Sequence, residues 1–273
     1  MATDEQPYGE LVDTTLRALT WNVWGRFGPW EQREAALVAT MHATSPDIIF
    51  LQESWVDEGG ADQASVLGEQ LGLEHHCRSE ADGGRANAII SRWPLSDVES
   101  HNVPSVDGGW GGVIVRAVVA GPRRELDAYC VALDWPPQAS RVRQDAVRYL
   151  AELIDAHQKK TRRGLLVAGD FNASPASDEI RALTGLRETA VPDVVLFDAW
   201  DMGGDGTSGL TWSRSNPWAA PALLPDRRID YIFTGWPRGG GVGSVVEAKV
   251  IGTAPIDGVV PSDHYAVLAV IRY

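Results

Sequence analysis

Acidic, amide and imidazole side chains recur where short apolar runs stop. Asn22 ends LRALTWN, Glu53 follows DIIFLQ, and Asp170 and Asn172 follow GLLVAG. Nearer the C-terminus, Asp230 lies in RRIDYIF and the pair Asp263-His264 in PSDHY. Burying an unpaired carboxylate at the end of a core strand is expensive. Repetition of the pattern therefore implies that separate strands deliver these groups to one place. A set rich in carboxylate and amide oxygens suits Mg2+ or Mn2+ rather than zinc, because hard cations prefer oxygen and no spare thiolates are present. Such an ion polarises a phosphoryl oxygen and stabilises a leaving oxyanion. An imidazole beside a carboxylate stabilises negative phosphoryl oxygens, while a second carboxylate orients an attacking water. The chemistry these residue types support is phosphoester hydrolysis.

Each residue taken singly also has a plainer role. Asn22 can satisfy a turn, the Asp or Asn of GDFN can form an Asx turn, and Glu53 can be a solvated strand end. His264 can be a satisfied core histidine. The remaining histidines, at 42, 75, 76, 101 and 157, show no ligand spacing, and His42 and His157 read as solvated helix positions. Of Arg227 and Arg228, one reads as surface charge and the other stays open to binding an anionic substrate.

The elements that position these groups alternate between apolar β-rich runs and segments of helical period. Strands are expected at Leu16 to Trp24, Asp47 to Gln52, Asn87 to Arg92, Gly112 to Val119, Leu126 to Leu133, Gly164 to Gly169, Ile229 to Phe233 and Tyr265 to Ile271. Helices are expected from Trp30 to Thr44, with Ala36, Leu37, Thr40 and Met41 on one face, and from Ala64 to Leu71. A third starts at Ser140 as N-cap and a short one runs from Ser177 to Leu183. Gly203 to Asp226 and Gly239 to Gly243 read as loops. These strands are too many for a simple doubly wound sheet, and the helices too many for an all-β sandwich. Two mixed sheets packed face to face with helices outside, a four-layered α/β sandwich, fit both counts.

With 273 residues, 44% of them apolar, the chain suffices for one large core, and it reads as a single domain, 1–273, whose first 14 residues form a flexible segment. A formal net charge of -13 gives no general footprint for gripping polyanions, although bound cations reverse the field locally. Cys77 and Cys130 form no metal or disulfide pattern, which suits a reducing interior. The N-terminus lacks the features of a secretory signal and no apolar stretch is long enough to span a bilayer, so a cytoplasmic setting is expected. Oligomeric state is not encoded in any visible motif. The 11 tryptophans are numerous. Trp135, Trp212 and Trp218, in expected loops, are candidates for stacking on a base, ring or apolar tail, against the plainer role of rim packing.

Taken in order, TWNVW, FLQES, NAIISRWPL, LDWPP, VAGDFNASP, RRIDYIF and SDHYAV resemble the endonuclease/exonuclease/phosphatase superfamily. The resemblance covers most of the chain, with GDFN and SDH its most specific parts. It implies that Glu53 is the principal metal ligand, with Asn22 and Asp263 near the ion and its water network. By the same resemblance Asp170 orients or deprotonates the attacking water, Asn172 binds phosphate, and His264 contacts the scissile phosphate while Asp230 holds it. Asn87 and Arg92, from the NAIISRWPL segment, are implied at the substrate. One position departs: VALDWPP places Ala132 where many members carry a catalytic histidine.

The leading functional expectation is a Mg2+- or Mn2+-dependent phosphoesterase acting on a small or lipid-like phosphate compound. A nuclease on DNA or RNA is the first alternative, disfavoured by charge. The second is a member altered at Ala132 that binds ligand or does other chemistry. The loops from Glu80 to Gly84, Ser105 to Gly112 and Gly203 to Asp226 are expected to shape the pocket.

Overall fold

The computed structural model describes residues 7–103, 110–161 and 163–273. The chain begins with strand β1 (Thr15–Asn22), helix α1 (Trp30–Thr44) and strand β2 (Ile48–Trp55), followed by α2 (Gln63–Leu71). Strands β3 (His75–Arg78), β4 (Arg85–Ser91), β5 (Leu95–Asn102), β6 (Gly112–Ala120) and β7 (Glu125–Leu133) come next. Helix α3 (Ser140–Thr161) leads into β8 (Gly164–Asp170), α4 (Asp178–Leu183), β9 (Phe197–Asp198) and α5 (Ala199–Gly203). Three strands close the order: β10 (Asp230–Thr234), β11 (Val245–Ile251) and β12 (Ala266–Arg272).

Among the described residues the strands form two six-stranded sheets, ordered β11-β12-β1-β2-β4-β3 and β5-β6-β7-β8-β10-β9. Each is mixed, with one parallel pair, β1/β2 or β7/β8, joined through a helix, α1 or α3. This is the expected α/β sandwich. Its layers follow from the alternation of side chains along each strand. Ala18, Ile48, Phe50 and Ile89 of the first sheet interdigitate with Val115, Ala128, Cys130 and Ile232 of the second. On the outer face of the first sheet, Leu19, Ile49 and Leu51 meet Leu37 and Met41 of α1 and Leu67 of α2. On the outer face of the second, Tyr129, Val131 and Val167 meet Val147, Leu150 and Ile154 of α3. Central strands are thus covered on both faces, which is why they read as unbroken apolar runs.

Several expectations change. Strands β3, β5, β9 and β11 lie outside the expected set, and each is at the edge of a sheet. Ser140 does not cap α3: a 3-10 turn at Pro137–Ala139 runs straight into the helix, Ser140 has helical dihedrals, and its hydroxyl donates to Glu179 Oε2. Ser177 occupies the N-cap position of α4, but its hydroxyl donates to Ser174 O instead. Within the segment expected to be flexible, Val12 N donates to Gly240 O at 2.9 Å and Gly240 N to Tyr8 O at 2.7 Å. The rest of the segment expected to be flexible, residues 1–6, lies outside the described residues, as does 104–109 of the loop expected from Ser105 to Gly112. His157 is partly buried between Tyr129 and Glu99, not solvated. Both cysteines are free, and among the described residues no helix is long and apolar enough to cross a membrane.

Candidate active site

Strand direction brings the chemistry to one end of the sandwich. Strands β1 and β8 terminate there in Asn22 and Asp170, β2 carries Glu53 near its end, and β10 and β12, which run antiparallel to β8 and β1, begin there. Asp230 opens β10 directly opposite Asp170 in the register, and Asp263-His264 immediately precede β12. The sequence spaces these residues over most of the chain; the sheet topology reduces that separation to hydrogen-bond distances.

Asn22 is the hub. Its Nδ2 donates to Glu53 Oε1 and Asp170 Oδ2, both at 3.1 Å, and its Oδ1 accepts from Trp24 N at 3.0 Å. An amide supplies both polarities at once, which a carboxylate here would not. His264 Nδ1 lies 2.9 Å from Asp230 Oδ2, and its Nε2 lies 3.8 Å from Asp170 Oδ2. Thr211 Oγ1 fixes Asp230 by accepting from the amides of Ile229 and Asp230. Asp170, Asp230 and His264 offer ligand atoms within 4.8 Å of one another, and all three are buried.

Backbone strain is concentrated here. Glu53 (φ 54°) and Asn172 (φ 50°) both adopt left-handed dihedrals, which cost non-glycine residues free energy and persist where the surroundings impose them. Glu53 lies where the pairing of β2 with β4 shifts between Leu51 and Ser54, a bulge that re-aims its side chain. Gly169, with φ 155°, is needed just before Asp170, since a Cβ there would lie 1.9 Å from Val131 O.

Electrostatics follow from burial. Desolvation and then the charge of Asp230 push Asp170 up to about 7, against the opposing pull of His264. Desolvation likewise raises Asp263 to about 6, with His264 opposing and Glu53 adding. For His264 burial disfavours the imidazolium, yet Asp230 and Asp170 outweigh it and hold its pKa well above the ordinary value. At His264 the two carboxylates therefore prevail over burial.

A cavity of about 510 Å3 opens over these groups. Asn22, Glu53, Asp170, Asn172, Asp263 and His264 all line it, as do Asn87, Ala132, Trp135 and Trp212. Trp135 is 63% exposed at its rim, while Trp212 packs edge-on against His264 with centroids 5.0 Å apart. Of the loops expected to shape it, Glu80 and Asp82 represent the first and Trp212 and Leu224 the last. Asn172 Nδ2 is engaged by Leu133 O at 2.9 Å, and Asn87 Nδ2 by Val113 O at 3.0 Å.

Two expected residues are elsewhere. Arg92 pairs with Asp47 at 2.7 Å at the opposite end of the sheet, because β4 runs antiparallel to β2 and its last residues sit beside the start of β2, away from Glu53. Trp218 does not line the cavity; its indole donates to Val260 O and packs on Trp24. Trp24 and Phe27 take the rim position instead.

Four arginines complete the surroundings, and of these Arg33 had no expected role. Arg85 donates to Glu53 Oε2 at 2.9 Å. Arg228 is buried and ion-paired with Asp198 and Asp201, so it is structural, whereas Arg227 lines the cavity. Arg33, fully buried, donates to the carbonyls of Val23, Trp24, Gly25, Phe27 and Pro261, tying the loop after Asn22 to the segment before Asp263. Its signal was present: it falls one turn before Leu37 on the apolar face of α1.

Comparisons with known proteins bear on the fold and family. No curated protein sequence matches the chain. Truncated TDP2 of Caenorhabditis elegans has a similar structure at 18% identity and TM-score 0.75, covering 96% of this chain and 99% of that one. The human Nocturnin catalytic domain with bound sulfate is similar at 19% identity and TM-score 0.70, covering 94% of both chains. TDP2 of D. rerio complexed with a single-strand DNA product is similar at 19% identity and TM-score 0.73, covering 96% of this chain and all of that one. At these identities the likeness establishes the fold. Residues 19–264 match the Endonuclease/Exonuclease/phosphatase family, and the chain belongs to that family.

Proposed function

We propose that this chain is a divalent-metal-dependent hydrolase of a phosphomonoester or phosphodiester in a small or amphiphilic molecule, working as one domain in the cytoplasm. The observation that carries the reading is the hydrogen-bonded set Glu53–Asn22–Asp170 meeting His264–Asp230 at the mouth of one cavity. Hydrolysis needs a water to lose a proton as it attacks phosphorus and a cationic environment for the phosphoryl oxygens. Asp170, with a pKa near 7, is suited to take that proton at neutral pH. The His264 imidazolium, held by Asp230, meets the negative phosphoryl oxygens. A P–O bond forms to the water oxygen and the bond to the leaving oxygen breaks.

The donor set fits a hard cation, since Glu53, Asp263 and the Asn22 amide offer oxygen. Glu53, Asn22 and Asp263 would hold Mg2+ or Mn2+, which when bound supplies a Lewis acid for a phosphoryl oxygen. The trio Asp170, Asp230 and His264 serves better as a proton network, because His264 Nδ1 is committed to Asp230 and Asp170 Oδ2 to Asn22.

The preference for a small or amphiphilic substrate rests on the charge of -13 and on the exposed aromatic rim of Phe27, Trp110 and Trp135. A nuclease is the second reading, favoured by the similar TDP2 structure solved with a single-strand DNA product. Nucleotide, oligonucleotide, phospholipid and sugar-phosphate substrates assayed with Mg2+ and Mn2+ separate the two. Faster cleavage of oligonucleotides than of every small ester would reject the first. If the protein is inert on all of them and Ala132→His creates activity, the third reading stands, with catalysis lost at that position.

A further inference from the structure

Three cationic side chains line the cavity, and two of them are committed. His264 is paired with Asp230 and Arg85 with Glu53. The guanidinium of Arg227 has no hydrogen bond or ion pair among the described residues, and its Nε is sealed from water without an acceptor. Its position is nevertheless fixed. Arg227 N donates to Trp212 O at 2.8 Å and Trp212 N to Arg227 O at 2.9 Å, locking the residue beside the indole that packs on His264.

Burial lowers the Arg227 pKa, with Asp170 opposing that shift and Arg143 adding to it. Arg143 in turn is bound to Glu179 and to the carbonyls of Asp134 and Pro136. Arg227 lines the same cavity as Asp170 and Ala132, where β7 presents only a methyl group. A half-buried guanidinium with an unsatisfied donor is costly in the free protein, and an anion recovers that cost. The planar fork of arginine matches two oxygens of one phosphoryl group.

We propose that Arg227 forms an anion subsite of this cavity and binds the nonbridging phosphoryl oxygens of the substrate. The inference rests on the phosphoester reading for its choice of ligand. It assigns phosphoryl charge in this cavity to an arginine held by the Trp212–Arg227 bridge ahead of β10, so the methyl group of Ala132 is no gap in charge.

The test titrates inorganic phosphate into the full chain with MgCl2 by calorimetry, comparing wild type, Arg227→Ala, Arg227→Gln and Arg227→Lys. Removing the charge is expected to weaken phosphate binding at least tenfold, with Arg227→Lys keeping part of it. In parallel, kcat/KM on bis-p-nitrophenyl phosphate is expected to fall about a hundredfold in Arg227→Ala, the scale of losing one preorganised anion donor. Thermal unfolding checks that each variant is folded, and Arg227→Gln keeps the apolar stem if the alanine variant is not. Phosphate affinity and kcat/KM both within threefold of wild type would overturn the subsite while leaving the phosphoesterase reading intact. No phosphate binding by wild type would also overturn it. Wild type inert on every ester, yet losing phosphate on Arg227→Ala, would keep the subsite and sink the hydrolase.

Discussion

Asp230→Asn isolates one charge from one shape. Asp230 is wholly buried, and its two oxygens lie 2.9 and 3.2 Å from His264 Nδ1. The amide keeps the volume and one acceptor but removes the counter-ion of a buried imidazolium. Breaking a buried pair by neutralising one partner costs about 3–5 kcal/mol. If about 3 kcal/mol of that is felt where phosphoryl charge builds up, at about 1.4 kcal/mol per decade, the rate falls by roughly two powers of ten. Asp230 raises the His264 pKa above its ordinary value. A raised folded-state pKa contributes stability that is complete below the unfolded value, about 6.5, and fades as pH rises through the folded one. The stability gap between wild type and variant should therefore be widest on the acid side of neutrality and narrow as pH rises. The assay is a histidine-ring NMR titration together with urea unfolding at several pH values and kcat/KM on a chromogenic phosphodiester. An unchanged His264 titration, with rates within threefold of wild type, would refute the assignment of Asp230 as its counter-ion.

Asp170 and Asp263, raised to about 7 and about 6, bind more protons folded than unfolded, so without metal they make the protein less stable as pH climbs from about 4 to 7. Calorimetric melting should show that loss, and Mg2+ should raise Tm more at pH 7 than at pH 5; equal gains at both values would contradict the carboxylate ligand set. Gly169→Ala should cost several kcal/mol in urea unfolding, because Val131 O leaves no space for a Cβ; a cost under about 0.5 kcal/mol would show that β8 yields. Trp135→Ala removes an indole that is 63% exposed at the rim, so Tm should hold while KM rises for esters with an aromatic or apolar arm and stays fixed for plain ones. Uniform KM across both ester types would remove Trp135 from the substrate surface.

Central strands and helices were legible because both faces of β2 and β8 are covered, which imposes unbroken runs such as DIIFLQ and GLLVAG. The strands that escaped, β3, β5, β9 and β11, are all sheet edges. Edges carry polar and charged residues that discourage pairing with other chains, as in LSDVESHN, and so lack the apolar signature. Strand ends also named the groups that the fold gathers at one end: Asn22, Glu53, Asp170, Asp230 and His264 are carboxylate, amide and imidazole groups placed where burial would otherwise be prohibitive.

What the linear order determined on its own was the inventory of groups and the elements that carry most of them. Tertiary structure alone decided which ends coincide. Arg92 failed because an antiparallel neighbour carries its C-terminal end away from Glu53, and Trp218 because its indole is spent on Val260 O. Arg227 and Arg228 are adjacent in sequence, yet one is sealed against Asp198 and the other faces the cavity. Alternation along an extended chain sends neighbours to opposite sides, and only packing determines which side holds the site.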